Sequence, residues 1–256
     1  LISAGAWTEY DSDYLHKSLS ESKFNDVSIY DCTSQWGVFS VAGPKSRNFL
    51  KKLVVSEDPD KTLSNKQFPW LSYRDIEIGM CPVRALRVAY TGELGWELHH
   101  PIEMQNYLLD ILLSSGKEFN LKLVGARAQN WLRQEKSYKA FGSDLGRDAG
   151  PFESNLSRFV DINKNFLGKD ALLKRKTEVS CVTLLIDGPK DIDPWGREVL
   201  YNETEDSILG RLTSGGYSVH FQKSIGIGYV KSSFSEVGTK LRIKIDDAFW
   251  DAERVR

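Results

Sequence analysis

A pair of glycines between two alternating apolar stretches is the feature that most constrains this chain. Gly92 and Gly95 supply the backbone freedom that a tight reversal needs. The apolar residues that alternate before and after the pair are Leu86, Val88, Tyr90, Trp96 and Leu98. The pattern predicts a β-hairpin over residues 84–98, with Glu97 pointing away from its apolar face. Glu97 then either meets solvent as an ordinary surface residue, or lines a cavity where its carboxylate needs a donor from a ligand.

The charge balance argues against polyanionic partners. The chain has 34 lysines and arginines against 35 aspartates and glutamates, so no long-range field favours nucleic acid or an anionic membrane. Its apolar runs are far shorter than the roughly 20 residues of a membrane helix. We expect neither nucleic acid nor a membrane as a partner.

Cysteine and histidine spacing points to no metal and to a reducing compartment. The three cysteines and four histidines are scattered without the spacing of a disulfide framework or a zinc site. The expected location is the cytoplasm, or the mitochondrial matrix in a eukaryote. Because the chain opens at Leu1 without an initiator methionine, we expect a fragment or a processed piece.

Strand and helix patterns alternate along the first two thirds of the 256 residues. Apolar positions at helical spacing follow Pro44 and again Pro101, each after a stretch of β-type alternation. This order predicts an α+β fold with ferredoxin-like units, in which helices pack on one side of mainly antiparallel sheets. From about Cys181, short β-rich runs separated by turns predict a small antiparallel β-barrel or sandwich. We expect a first domain over residues 1–172 and a C-terminal barrel domain over residues 180–256.

A third helical segment begins at Gly125. Arg127, Trp131 and Glu135 follow at intervals of four residues and share one face. That face is either solvated or forms one wall of a pocket. We interpret Arg133 and Glu135 as an ion pair that supports the helix.

Several short motifs occur in a fixed order along the chain. They are YTGELGWEL at residues 90–98, GAR at 125–127 running into LRQEK at 132–136, PFESNL at 151–156, FLGKDAL at 166–172, TSGGY at 213–217 and KSIGIGYV at 223–230. In order and spacing they resemble the glycine-cleavage T-protein (aminomethyltransferase) family over most of the chain. Two segments, EKSYKAFG at 135–142 and DPWG at 193–196, are closer to the tetrahydrofolate-binding C-terminal half of dimethylglycine and sarcosine dehydrogenases.

The resemblance implies a tetrahydrofolate site. Glu97 matches the glutamate that holds the pteridine, Tyr90 a tyrosine beside it, and Arg127 an arginine that helps to fix the ligand. One carboxylate can accept two adjacent N–H donors of the pteridine, whose flat ring favours an aromatic neighbour. Trp131 is expected on the pocket side of the helix with Arg127, and Glu93 either contacts the ligand or only shapes the turn.

The implied activity is tetrahydrofolate-dependent one-carbon transfer, as in aminomethyltransferase or the folate half of dimethylglycine and sarcosine dehydrogenases. The implied partners are a small methylamine or aminomethyl donor and either an upstream flavin domain or a lipoyl carrier protein. FAD is expected only if an upstream domain exists outside this chain, because no G-x-G-x-x-G follows an early strand here.

Two positions depart from the family pattern. The family's catalytic aspartate lies in a Gly-Gly-Ile-x-Asp-like strand that has no match here, and Asp11 and Asp13 are not substitutes. We therefore assign no catalytic residue and expect the first domain to be N-terminally incomplete. Residues 180–183 stand where the aminomethyltransferases carry an arginine. A non-catalytic folate-binding or interaction module of the same fold, and a demethylase acting on another methyl donor, stay open as alternatives.

Overall fold

The computed structural model describes residues 1–190 and 192–255. Its helices are α1 (Thr8–Ser20), α2 (Ser46–Lys51), α3 (Pro59–Thr62), α4 (Gln105–Gly116), α5 (Ala126–Glu135) and α6 (Lys169–Lys174). Short 3-10 turns span Gly5–Trp7, Thr33–Gln35, Ile102–Met104, Lys117–Phe119, Ser157–Phe159 and Ser232–Phe234. The strands are β1 (Trp36–Ala42), β2 (Tyr73–Ile78), β3 (Cys81–Leu86), β4 (Gly95–Pro101), β5 (Val179–Ile186), β6 (Val199–Tyr201), β7 (Ile208–Ser218), β8 (Lys223–Lys231), β9 (Lys240–Ile245) and β10 (Ala248–Arg254).

The first four strands form an antiparallel sheet. Its order is β1-β4-β3-β2, so β2, β3 and β4 form a meander and β1 pairs with the far side of β4. Two helices cover one face of this sheet, α2 through Phe49 and Leu50, and α4 through Leu108 and Leu112. The sheet residues buried beneath them include Val41, Ile78, Cys81, Val83, Ala85, Trp96 and Leu98. The predicted α+β arrangement is confirmed.

The other face of the sheet carries exposed side chains. Trp36, Val38 and Tyr73 are exposed there, and the pleat places Glu97 on the same side because its neighbours on β4 point into the core. We call this surface the open face. A depression of about 540 Å³ at one end of it is lined by Trp36, Asp75 and Arg84 among others, but not by Glu97.

The last six strands close into an antiparallel barrel, as predicted. Their order around the barrel is β10-β5-β8-β7-β6-β9. The barrel core is formed by Val182, Leu184, Ile186, Leu200, Leu209, Leu212, Val230, Leu241, Ile243, Ile245 and Ala252. Strand β7 carries a bulge: Leu212 pairs with Gly228 and Ser214 with Ile227, which leaves Thr213 as the extra residue.

Helix α5 packs against β7 and β8 and so joins the sheet-containing part to the barrel. A side chain at Gly216 would run into the indole of Trp131, so the missing Cβ lets helix and strand approach closely. Gln134 Nε2 donates to the carbonyl oxygen of Gly215 at 3.0 Å. We propose that the chain divides into two domains, residues 1–172 and 180–256, and that the segment from the end of α6 to the start of β5 connects them.

Candidate functional site

Glu97 lies on β4 with its side chain turned to the open face. Trp96 and Leu98 on either side are fully buried, whereas the Glu97 side chain is 33% exposed. The phase predicted from the apolar alternation is therefore confirmed. His99, two residues along the same face, is largely buried and places Nε2 at 3.2 Å from Glu97 Oε2. His99 is not among the residues predicted for the site, although the period of two along a strand places it on the same face as Glu97.

The connection between β3 and β4 is longer than predicted. The two strands do form a hairpin, with Leu86 opposite Glu97, but residues 87–94 are irregular. The prediction that Val88 and Tyr90 continue the strand to a tight turn is therefore wrong. Arg87 still bonds towards β2, its N–H donating to the Ser72 carbonyl oxygen, and the chain then turns away at Val88, whose N–H donates to the Leu86 carbonyl oxygen at 3.0 Å.

The irregular connection carries Tyr90 towards the segment after α5. The Tyr90 hydroxyl donates to the carbonyl oxygen of Lys139 at 3.0 Å. Its ring stacks on Tyr138 with centroids 6.3 Å apart, and the Arg133 guanidinium carbon lies 6.0 Å from its centroid. Burial raises the pKa of Tyr90 above its ordinary value. The Tyr90 side chain is therefore a neutral, partly buried phenol at physiological pH.

Two further groups of the connection differ in exposure. Glu93 is exposed, and its role in a site stays a prediction. Thr91 Oγ1 is buried and finds no hydrogen-bond partner in the part of the chain that the structure describes. A buried hydroxyl of this kind is costly until a water or a ligand atom satisfies it.

Arg127 and Trp131 share one face of α5, as predicted, and the Arg127 guanidinium carbon lies 5.2 Å from the Trp131 ring centroid. Two partners from the barrel part of the chain were not predicted. Arg127 forms an ion pair with Asp193 and lies 5.2 Å from the ring centroid of Trp195. The Arg127 side chain is nevertheless 58% exposed, so solvent or a ligand can reach it.

The predicted ion pair between Arg133 and Glu135 is wrong. Residues two apart on a helix do not face each other. Arg133 instead pairs with Asp144 at 2.6 Å, and Glu135 accepts a hydrogen bond from Ser218 Oγ at 2.6 Å. The structure thus gathers the candidate residues into three small groups: Glu97 with His99, Tyr90 with Arg133, and Arg127 with Trp131.

Helix α5 connects two of these groups. Arg127 and Arg133 lie six residues apart, which is about 9 Å along the axis. Carboxylate, phenol, hydroxyl and guanidinium groups are the chemistry that holds a flat, hydrogen-bonding, carboxylate-bearing ligand. Within residues 1–190 and 192–255, no group of histidine, cysteine, aspartate and glutamate side chains is arranged to hold a metal ion. Over the same residues, no helix has the length and apolar character that crossing a membrane requires.

Two family models match nearly the whole chain. The GCVT N-terminal domain matches residues 1–164, and the glycine cleavage T-protein C-terminal barrel domain matches residues 180–256.

Curated relatives include a dehydrogenase and several aminomethyltransferases. The mitochondrial dimethylglycine dehydrogenase of Mus musculus is 40% identical over 227 residues, which are 86% of this chain and 25% of that protein. An aminomethyltransferase of Geobacillus sp. is 32% identical over 253 residues, which are 96% of this chain and 65% of that protein. The chain therefore spans about a quarter of the length of the dehydrogenase.

A solved structure supports the fold. The glycine cleavage system aminomethyltransferase T from Bartonella henselae superposes with a TM-score of 0.76 at 20% identity. The superposed region covers 96% of the present chain and 64% of the Bartonella protein's chain. With both family models and these relatives agreeing along its length, the chain belongs to the glycine cleavage T-protein family.

Proposed function

We propose that this chain is the tetrahydrofolate-binding part of a one-carbon transfer enzyme, of the kind found in the folate half of dimethylglycine or sarcosine dehydrogenases. The observation that carries the proposal is Glu97, a partly exposed carboxylate on the open face whose strand neighbours are both buried. Support comes from the relatives, since a dimethylglycine dehydrogenase and aminomethyltransferases both align over most of the chain.

The residues divide the work of holding the folate. Glu97 accepts the two adjacent N–H donors of the pteridine, while the neutral ring of Tyr90 borders it. Arg127 attracts a carboxylate of the ligand, with the Trp131 ring beneath its guanidinium group. Glu93 is a further candidate from the same connection.

Bound tetrahydrofolate would supply a nucleophilic nitrogen that captures the one-carbon unit. The groups of this chain orient that nitrogen and exclude water, which can account for several kcal/mol of a barrier through proximity. No residue is assigned as the catalytic acid or base. The proposed donor is a small methylamine or aminomethyl compound, and the proposed partner a flavin domain or a lipoyl carrier protein. We propose the mitochondrial matrix or the cytoplasm as its location, the former because the dehydrogenase relatives are named as mitochondrial.

Glu97→Gln tests the proposal directly. Calorimetric titration with 5-formyltetrahydrofolate should show Kd raised about 10- to 150-fold, the equivalent of losing a charge-assisted hydrogen bond of about 1.5–3 kcal/mol. Glu77→Gln is the matched control, because Glu77 is an exposed glutamate two strands away on the same sheet. An unchanged Kd for Glu97→Gln, or equal changes in both variants, would contradict the assignment.

A second measurement separates an enzyme from a binding module. The protein is incubated with tetrahydrofolate and an aminomethyl donor, and formation of methylenetetrahydrofolate is followed. Because the family's catalytic aspartate has no match here, we expect little or no transfer by this chain. Transfer that appears when a segment carrying that aspartate precedes the chain supports the proposal, whereas binding without transfer in both proteins identifies a non-catalytic folate module.

A further inference from the structure

The carboxylate of Asp144 is the most completely satisfied buried charge near the candidate site. Its side chain is 0% exposed. Oδ2 accepts from Arg133 Nη1 at 2.6 Å and from the Ala140 N–H at 2.9 Å. Oδ1 accepts from Thr213 Oγ1 at 2.5 Å and from Ser214 Oγ at 2.7 Å. One oxygen is therefore held by the helix region and the other by barrel strand β7.

The bulge in β7 explains how two consecutive barrel residues reach the same oxygen. Side chains of neighbouring strand residues normally point to opposite faces. Thr213 is the extra residue of the bulge, and a bulge re-aims a side chain in this way. Thr213 and Ser214 therefore both donate to Asp144 Oδ1. The irregularity in β7 has a specific consequence, a second barrel hydroxyl on a single buried carboxylate.

Arg133, the partner of Asp144, donates hydrogen bonds from all three of its side-chain nitrogens. Arg133 Nη2 donates to Ser214 Oγ at 2.7 Å, Nη1 also donates to the Tyr138 carbonyl oxygen at 2.6 Å, and Nε donates to Asn130 Oδ1 at 2.9 Å. A buried ion pair is favourable only when such additional bonds satisfy it. Ser214 touches both charges, so this barrel residue closes the network.

The network fixes the segment that contacts Tyr90. Residues 137–144 leave α5 with two left-handed positions, Ser137 at φ 57° and Gly142 at φ 96°. Asp144, Ala140 and Tyr138 tie this segment to the buried pair. Between them, Lys139 presents its carbonyl oxygen to the Tyr90 hydroxyl, and the Tyr138 ring stacks on the Tyr90 ring.

We propose that Asp144 is a positioning residue that couples barrel strand β7 to Tyr90, so that seating of the barrel sets the position of the tyrosine that borders the folate. The consequence for folate rests on the proposed function, whereas the coupling itself does not. Because coupling between two sites is reciprocal, folate binding then strengthens the seating of β7 against the helix region.

The test removes the Ser214 hydroxyl and leaves the ion pair between Arg133 and Asp144 in place. Ser214→Ala deletes one donor to Asp144 and one acceptor for Arg133. Ser224→Ala is the matched control, since Ser224 is a buried barrel serine that donates to Ile192, outside the network. Thr213→Val is the second variant, should Ser214→Ala fail to fold. Each change is made in the wild-type chain and in Tyr90→Phe.

The first readout needs no ligand. The ionisation of Tyr90 is obtained from tyrosinate absorbance against pH, as the difference between each protein and the same protein carrying Tyr90→Phe. Burial raises the pKa of Tyr90, so loosening the 137–144 segment should move its titration to lower pH in Ser214→Ala and leave it in place in Ser224→Ala. An unmoved Tyr90 titration in Ser214→Ala and Thr213→Val overturns the coupling.

The second readout is a double-mutant cycle on the Kd for 5-formyltetrahydrofolate. We expect Ser214→Ala to raise Kd about three- to tenfold when Tyr90 is present, less than about twofold in Tyr90→Phe, and Ser224→Ala to change it in neither. Equal factors in both backgrounds would show a merely structural effect and refute transmission through Tyr90. If the wild-type protein does not bind the folate at all, the proposed function fails while the ligand-free titration still decides the coupling.

Discussion

Two arginines of the same helix pair with aspartates in opposite surroundings. Arg133 is 2% exposed and its partner Asp144 is fully buried, whereas Arg127 is 58% exposed and its partner Asp193 is 33% exposed. A buried pair that loses one member leaves an uncompensated charge, while an exposed pair contributes little and can exchange partners. The comparison assigns the two ends of α5 different tasks: one end holds the barrel in place, and the other is free to meet a ligand.

The largest difference should appear in stability. Asp144→Ala should lower the free energy of unfolding by about 3–5 kcal/mol, because Arg133 is left buried without a partner. Asp193→Ala should lower it by less than about 1 kcal/mol. Urea unfolding followed by tryptophan fluorescence measures both. Losses of equal size would remove the distinction between the two pairs, whereas failure of Asp144→Ala to fold would agree with it.

At the exposed end of α5, a substitution should affect ligand binding more than it affects stability. Arg127→Met should weaken binding of 5-formyltetrahydrofolate by about 1–2 kcal/mol, or about 5- to 30-fold, because a charge-assisted contact to the ligand carboxylate is lost. The free energy of unfolding should change by less than about 1 kcal/mol. Arg242→Met is the control, since Arg242 also lies between acidic partners and an aromatic ring, on β9. If both variants bind the folate like the wild type, Arg127 is not a ligand contact.

The smallest effect concerns the competition for Arg127. Asp193→Asn removes the carboxylate that now pairs with Arg127, so the ligand carboxylate should bind slightly tighter, by up to about 1 kcal/mol or fivefold. Asp187→Asn, in an exposed pair with Lys223 elsewhere on the barrel, should leave Kd unchanged. Weaker binding by Asp193→Asn would mean that Asp193 orients the guanidinium group for the ligand instead of competing with it.

Sequence periodicity predicted what depends on local backbone geometry. The alternation around Trp96 and Leu98 gave the phase of β4 and the side on which Glu97 lies, and the interval from Arg127 to Trp131 gave the shared face of α5. The barrel was predictable from its short strands and turns. Each of these inferences depends on residues close together in the chain.

The features that the sequence did not predict depend mostly on contacts between residues far apart in the chain. Tyr90 lies outside the strand because the chain turns away at Val88, and its hydroxyl bonds to Lys139, 49 residues further along the chain. Periodicity does not indicate where a strand ends. Asp144 and Ser214 lie 70 residues apart, and the bulge in β7 brings Thr213 to the same carboxylate oxygen. The prediction of an ion pair between Arg133 and Glu135 was wrong for a reason that the sequence does contain. Residues two apart on a helix point in different directions and cannot pair.

Gly216 places both ends of α5 under one constraint. Trp131, which lies between the two arginines along the helix, occupies the space where a Cβ at this position would be. A methyl group at Gly216 would overlap the indole, so either the Trp131 side chain moves away from Arg127, which lies 5.2 Å from its ring centroid, or helix α5 shifts together with Arg133. A substitution at Gly216 is therefore expected to reach the arginines of α5 through Trp131, although the glycine itself touches neither of them.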